Sequence, residues 1–182
     1  MTTSNKALVG FLLAGLTGLT VFLFVSLSGD GTASAKTCRV GQRDCLPDVS
    51  YIDTLGAAYT PQSLANKVVI VNFWATWCKP CEKEIPDLSK VYDEYKDRGL
   101  VILGVLSNDH PDNQQLLNFQ SDHLMSYPVV RDTPEIQASF GFPQNLPTTF
   151  IYDRRGKRAH SHVGLLRAEQ LAKIVEPLLA QP

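Results

Sequence analysis

The sequence has no excess of charge of either sign: 17 basic residues face 18 acidic ones, and no stretch gathers the basic ones into a stripe. Without such a stripe there is no electrostatic footprint for a phosphate backbone, so nucleic acid is excluded as a partner class. Internal repeats are absent, and so is low-complexity sequence apart from a Gly/Ser/Thr/Ala stretch near residues 29–36. Solenoids and arrays are thereby excluded. What remains is a chain of 182 residues, 44% hydrophobic, which is enough for one domain with a sizeable core and excludes a disordered chain.

Charge is missing altogether from residues 7–29. A helix of 23 apolar residues spans roughly 34 Å, against a hydrocarbon core of about 30 Å. The expected organisation is a cytoplasmic N-terminus over residues 1–6, a transmembrane signal-anchor over 7–29, a linker over 30–37 and a folded domain over 38–182. A signal peptide cleaved near Ala35 is the alternative, because Ala33-Ser34-Ala35 has the small-x-small form of a processing site. Lys6 on one flank and Lys36, Arg39 and Arg43 on the other leave the orientation undecided by charge. All four cysteines follow the apolar segment, which favours export, since Cys38 and Cys45 could persist there as a structural disulfide. A second redox pair or a metal site are the alternatives for them. No lipobox precedes Cys38, so lipid attachment is not expected.

In the domain, residues 49–53 and 55–59 read as a short hairpin around Gly56, with a brief helical connection at 63–66. Residues 67–74 are rich in Val, Ile and Phe with little alternation, as in a strand buried on both faces. From Lys79, the residues Ile85, Leu88, Val91, Tyr92 and Tyr95 recur at helical spacing until Gly99, with Pro86 expected to kink the helix. Residues 100–106 form a second buried strand, followed by a helix carrying Leu116, Leu117 and Phe119. A short strand follows at 128–130, then a helix over 136–140 capped by Thr133 and Pro134. Strands at 148–152 and 160–163 flank a turn, and residues 167–179 make a final amphipathic helix.

The chemistry concentrates in Trp77-Cys78-Lys79-Pro80-Cys81, set where a strand hands over to a helix. Two thiols separated by two residues there can reach one another, and helix N-terminal amides favour a thiolate on the first. Cys78 is the expected nucleophile and Cys81, one turn further in, the resolving thiol. Lys79 adds positive charge, while Pro80 gives up no helical hydrogen bond in the first turn. Half a zinc site is the alternative, but Trp77, Pro80 and the upstream strand favour redox chemistry.

With Pro47-Asp48-Val49 at its start, Val71-Asn72-Phe73-Trp74-Ala75-Thr76-Trp77-Cys78-Lys79-Pro80-Cys81 at its centre, Glu84 and Pro86 beyond, and Leu146-Pro147-Thr148-Thr149-Phe150 later, the chain resembles the thioredoxin superfamily. More narrowly it is similar to the membrane-anchored TlpA/ResA-type thiol–disulfide oxidoreductases, over residues 46–179. The resemblance implies a thioredoxin-like α/β fold, a central mixed sheet flanked by helices, with an N-terminal β-hairpin and a central αβ insertion. It also implies a cis Pro147 facing the cysteine pair, with Leu146 beside the bound substrate. The implied activity is reduction of disulfides in exported proteins at the outer face of a bacterial cytoplasmic membrane, with no cofactor beyond the Cys78–Cys81 disulfide. Electrons would come from a DsbD/CcdA-type membrane donor, and apocytochrome c is a candidate substrate in cytochrome c biogenesis.

Two positions depart from the cytosolic thioredoxins. Their buried aspartate is matched here by Asn72, which cannot exchange protons. Glu84 matches a glutamate near the cysteines of the TlpA/ResA-type proteins and is the expected proton carrier, with a solvated helix carboxylate as the alternative. Competing functions are a net disulfide oxidase, a metallochaperone holding Cu(I) through Cys78 and Cys81, and a peroxidase, which would need a Thr-x-x-Cys loop where Ala75 stands. His160 and His162 are expected as exposed strand residues rather than metal ligands, His110 and His123 as surface residues, and no metal site is expected.

Overall fold

The computed structural model of the chain describes Cys38 and residues 44–181. The apolar segment 7–29 and the linker 30–37 lie outside the described residues. Among the described ones no helix is long and apolar enough to cross a membrane.

The domain opens with a hairpin, β1 (Tyr51–Ile52) and β2 (Ala58–Tyr59), shorter than the sequence suggests. Asp53 shortens it, since its Oδ1 accepts from the amides of Leu55 and Ala57 and turns residues 53–57 into a loop. Helix α1 (Pro61–Leu64) starts two residues before the expected connection, because Thr60 and Ser63 form a reciprocal capping box and Pro61 presets the first turn. Strand β3 (Val68–Trp74) leads into α2 (Lys79–Tyr95), which runs through Pro86 and buries Ile85, Leu88, Val91 and Tyr95. One 3₁₀ turn over Lys96–Arg98 then ends at Gly99, whose φ of 97° a side chain would resist.

Strand β4 (Leu100–Leu106) is followed by α3 (Asn113–Asp122), β5 (Val129–Arg131) and α4 (Pro134–Ser139), the last two helices capped by Asp112 and Thr133. Strands β6 (Thr148–Tyr152) and β7 (Arg158–Val163) and helix α5 (Ala168–Leu179) complete the chain. Strand β7 begins two residues earlier than its sequence suggests. The five-stranded sheet has the order β5-β4-β3-β6-β7, with β3, β4 and β5 parallel and β6 and β7 antiparallel to their neighbours. This is a thioredoxin-like α/β fold, a mixed central sheet flanked by helices.

Every residue of β3 is buried, and its alternation divides the core. Val69, Val71 and Phe73 pack with Tyr51, Leu64 and Ile136 on one face. Val68 and Ile70 pack with Leu88, Tyr95, Leu171 and Val175 on the other, beneath α2 and α5. Asn72 belongs to this second face by register, and its neighbours across the sheet are Gly104 on β4 and Thr149 on β6, with His162 beyond on β7. A polar row therefore crosses the sheet under α2. At position 104 the Tyr127 and Trp74 rings close over the backbone: a Cβ there would sit 2.8 Å from Tyr127 Cε2 and 3.1 Å from Trp74 Nε1.

The β3 C-terminus and the turn between β6 and β7 lie at opposite ends of the sheet, because β6 runs antiparallel from Thr148, beside Phe73, to Tyr152, beside Val69. At that far end Cys38 and Cys45 are joined in a disulfide, Cys45 bridges Lys157, and the Leu46 amide donates to the Gly156 carbonyl. Arg158 and Asp44 add an ion pair. Arg154 donates to the carbonyls of Asn66, Arg98 and Leu179, tying three segment ends together.

Gly104→Ala is expected to lower stability by about 1–3 kcal/mol, since the Tyr127 and Trp74 rings leave the methyl no room. Urea unfolding measures this, and an unchanged midpoint would show that the two rings give way freely.

Candidate active site

The strand-to-helix turn is held in place before the cysteines are reached. The Ser107 amide donates to the Trp74 carbonyl at 2.8 Å, and the Cys78 amide to the Ala75 carbonyl at 3.1 Å. Thr76 donates both its amide and its hydroxyl to Asp109 Oδ2, each at 2.7 Å. Asp109 comes from the loop after β4 and carries no signal in the sequence, since a carboxylate in a polar loop says nothing about a turn 33 residues away.

Cys78 is the N-cap of α2, and its sulfur accepts from the Cys81 amide at 3.3 Å. The Cys81 amide in the first turn thus already points at Cys78 Sγ, an arrangement that favours a thiolate once the disulfide opens. Pro80 lies in that first turn, where a missing N–H leaves no carbonyl unpaired. Cys78 and Cys81 are joined in a disulfide with Cα atoms 5.2 Å apart. They are 4% and 1% exposed, so the difference in burial between them is small. The Lys79 ammonium lies 2.8 Å from Glu82 Oε1, which offsets the positive charge expected of it.

The Leu146–Pro147 bond is cis. Thr148 Oγ1 donates to the Asn145 carbonyl at 2.6 Å, and the Gly164 amide to the Pro147 carbonyl at 2.8 Å, so the loop is fixed on both sides. Leu146 packs against the cluster containing Trp74, Cys78, Cys81 and Ile85, which brings the proline loop to the cysteines. Trp77 and Val163 are largely exposed on the motif and beside Gly164, and Phe142 is exposed in the loop leading to Pro147.

Glu84 is no solvated helix carboxylate: it is 1% exposed. Its Oε1 accepts from the Leu166 amide at 2.8 Å and its Oε2 from Asn72 Nδ2 at 3.0 Å. Asn72 Nδ2 also donates to Thr149 Oγ1 at 3.0 Å. Burial pushes the Glu84 carboxyl from an ordinary 4.5 up to about 7; the bonds from Leu166 and Asn72 oppose the rise, and the charge of Asp87 adds to it. The Tyr127 phenol is pushed well above its usual range, first by burial and then by the charge of Glu84. The arrangement thus joins a disulfide at a helix N-terminus to a buried acid on the same helix that titrates near neutrality.

The histidines behave unequally. His110 is exposed, whereas His160 and His162, expected to be exposed, are half-buried on β7, their rings parallel with centroids 6.4 Å apart. His123 departs from the surface expectation, since its ring stacks on Phe119 at 3.9 Å and Phe119 stacks on Trp74 at 5.3 Å. Among the described residues no group of three or more His, Cys, Asp or Glu could hold a metal ion.

Residues 42–161 match the AhpC/TSA family. The chain is 30% identical over 167 residues to the thioredoxin-like protein YneN of Bacillus subtilis strain 168, covering 92% of this chain and 95% of YneN. It is also 30% identical over 167 residues to the thiol-disulfide oxidoreductase ResA of Bacillus thuringiensis strain Al Hakam, covering 91% and 90%. Among solved structures, the thiol:disulfide interchange protein of the thioredoxin family from Chlorobium tepidum TLS superposes with a TM-score of 0.69 at 30% identity, covering 78% of this chain and all of that one.

Because folding raises the proton affinity of Glu84, its stabilising contribution is complete below pH 4.5 and is lost as the pH rises through about 7. The gap between 4.5 and about 7 corresponds to roughly 3 kcal/mol. Glu84→Gln is expected to flatten the fall in unfolding free energy across this window. Equal pH slopes in both proteins, followed by urea unfolding, would remove the assignment.

Proposed function

We propose, on the premise that the chain belongs to the thioredoxin-like AhpC/TSA family and is a thiol–disulfide oxidoreductase, that it reduces disulfides of exported proteins through Cys78, Cys81 and Glu84. The observation that carries this assignment is Cys78 as the cap of α2, disulfide-bonded to Cys81, with Leu146 of the cis-proline loop packed against the pair and Glu84 buried behind it.

In the reduced protein the Cys78 thiolate attacks one sulfur of a substrate disulfide; a Cys78–substrate bond forms and the first substrate thiolate leaves. The Cys81 thiol then passes its proton to the Glu84 carboxylate, and the resulting thiolate attacks Cys78 Sγ. The mixed disulfide breaks, Cys78–Cys81 forms, and the second substrate thiolate leaves. Two electrons have moved from the cysteine pair to the substrate, so no cofactor is needed. Trp77, Lys79 and Pro80 frame the attacked sulfur, while Leu146 and Pro147 offer backbone to an extended substrate segment, with exposed Trp77, Phe142 and Val163 as an apolar rim.

The domain works on the extracytoplasmic side, tethered by residues 7–29 as a signal-anchor and recharged by a DsbD/CcdA-type membrane donor, with apocytochrome c among the candidate substrates. The uncharged stretch in the sequence and the Cys38–Cys45 disulfide support that placement, since such bonds persist in oxidising compartments. Cys38–Cys45 is a structural staple: the length of the sheet separates it from Cys78, and thiol–disulfide exchange needs contact between sulfurs.

Cys81→Ser is expected to accumulate a mixed disulfide between Cys78 and its substrate in the native membrane, identifiable by mass, and Cys78→Ser is expected to accumulate none. Equal trapping by both would refute the assigned order, and tight copper binding without exchange would refute the oxidoreductase mechanism. Replacing Cys38 and Cys45 by serine together is expected to leave the exchange rate unchanged while lowering stability by roughly 2 kcal/mol, the entropy of a short closed loop. A large loss of exchange rate with intact fold would instead give the pair a redox role.

A further inference from the structure

Buried beneath α2 is a donor–acceptor mismatch. Both groups that bond the Glu84 carboxylate, the Leu166 amide and Asn72 Nδ2, are donors. They suit the carboxylate. A protonated Glu84 carries an O–H on one oxygen, and neither partner as oriented can accept it. The side chain alternates between these two states in each catalytic cycle of the mechanism above, so one state leaves a buried polar hydrogen or a buried lone pair unmatched unless something turns.

Asn72 can turn. Its Nδ2 bonds Glu84 Oε2 and Thr149 Oγ1, each at 3.0 Å, so a single atomic position serves both partners. Rotation of the amide about its terminal torsion places Oδ1 where Nδ2 stood, with little change of shape. An amide oxygen at that position has two lone pairs, one for the Glu84 O–H and one for the Thr149 O–H. Thr149 completes the arrangement because a hydroxyl both donates and accepts, and its hydrogen rotates to suit. Both bonds therefore exist in either protonation state, with their direction reversed. An aspartate at position 72 would place a second acid beside Glu84, and an apolar residue would leave Glu84 with one partner. All three side chains are 1% exposed or less, so bulk water does not make up the difference.

We propose that Asn72 is a positioning residue whose side-chain amide turns over with each protonation and deprotonation of Glu84, Nδ2 facing the carboxylate and Oδ1 facing the acid, with Thr149 as the hydroxyl that serves both orientations. The proposal rests on the proton role given to Glu84 above. The other titratable or charged groups around Glu84 are Cys81 and Asp87 on α2, Asp87 being held by Arg167 at 3.2 Å, Tyr127 before β5, and His162 beside Thr149 on β7. None of them bonds the Asn72 amide in the structure, whose recorded partners are Glu84 and Thr149.

The test follows three signals in the isotope-labelled full chain as a function of pH: the Asn72 side-chain NH₂ resonances, the Glu84 carboxyl carbon, and the rate of exchange with a model disulfide. The Asn72 resonances are expected to move with the same midpoint as the Glu84 carbon. Thr149→Val removes the Asn72–Thr149 bond from both states, but it orphans a buried N–H while Glu84 is charged and only leaves a spare lone pair on Oδ1, still bonded to the Glu84 O–H, when Glu84 is protonated. The first costs more, so the midpoint of both the Glu84 signal and the rate is expected to rise by about one pH unit. Thr149→Ser is expected to restore it, which a loss of packing alone would not predict. Asn72 resonances that stay fixed while Glu84 titrates and the rate follows Glu84 would overturn the turning amide and leave the proton role of Glu84 intact. A Glu84 carbon that titrates while the rate ignores it would overturn that proton role, and the positioning role of Asn72 with it.

Discussion

A carboxyl group sealed from water under a helix is tolerated only if it gives up its charge or finds donors, and Glu84 stands between these two outcomes. Its two donors come from different elements: Leu166 precedes α5, and Asn72 lies on β3. The pair of bonds therefore fixes the first turns of α2, which carry Cys78 and Cys81, against the sheet and against the start of the last helix. Were the carboxylate fully compensated, it would be permanently charged and useless as a proton acceptor that must also release its proton. Were it uncompensated, it would stay protonated. Burial outweighs the two donor bonds, which limit the rise, and the carboxyl is pushed up to about 7.

In the proposed mechanism that balance relocates a function. With an acid on the strand, as in the cytosolic thioredoxins, the proton store lies on the rigid sheet. Here the strand supplies an amide and the acid belongs to the same helix as the cysteines, three residues beyond Cys81. Position within one helix ties the geometry between acid and thiol to helical spacing alone, independent of sheet register. The sheet is left the task of matching hydrogen bonds, for which Asn72 and Thr149 are suited.

The strands, the helices and the cysteine motif were legible in the sequence because each rests on local order. The unbroken apolar run of β3, the spacing of Ile85, Leu88, Val91 and Tyr95, and Thr133 before Pro134 are signals contained within a few residues. The same cap signature stands at Thr60-Pro61 and starts α1 ahead of the connection that composition suggests. What could not be read was pairing across the sequence. Asn72 reads in the sequence as a missing acid, but its bond to Glu84 depends on the period of β3 and on the face α2 covers, and its bond to Thr149 joins residues 77 apart. Asp109 at Thr76 and Arg154 at three distant carbonyls are of the same kind. The burial of Glu84 was also hidden, since glutamate on a helix is usually solvated and only the packed start of α5 makes this one an exception.

Membership of the AhpC/TSA family raises peroxide reduction as a neighbouring chemistry on this fold, and the turn before Cys78 bears on it directly. A cysteine attacking a peroxide needs a donor beside its sulfur to polarise the O–O bond, and three residues before Cys78 the chain has Ala75, fully buried and without a hydroxyl. The nearby hydroxyl of Thr76 is no substitute, because it donates to Asp109 at 2.7 Å together with its own amide. Asp109 thus performs two tasks: it sets the turn that delivers Cys78 to the helix N-terminus, and it engages the Thr76 hydroxyl. What then faces a bound partner is a sulfur bonded by the Cys81 amide, a cis-proline loop and an exposed indole, groups that meet an extended polypeptide far better than a small oxidant.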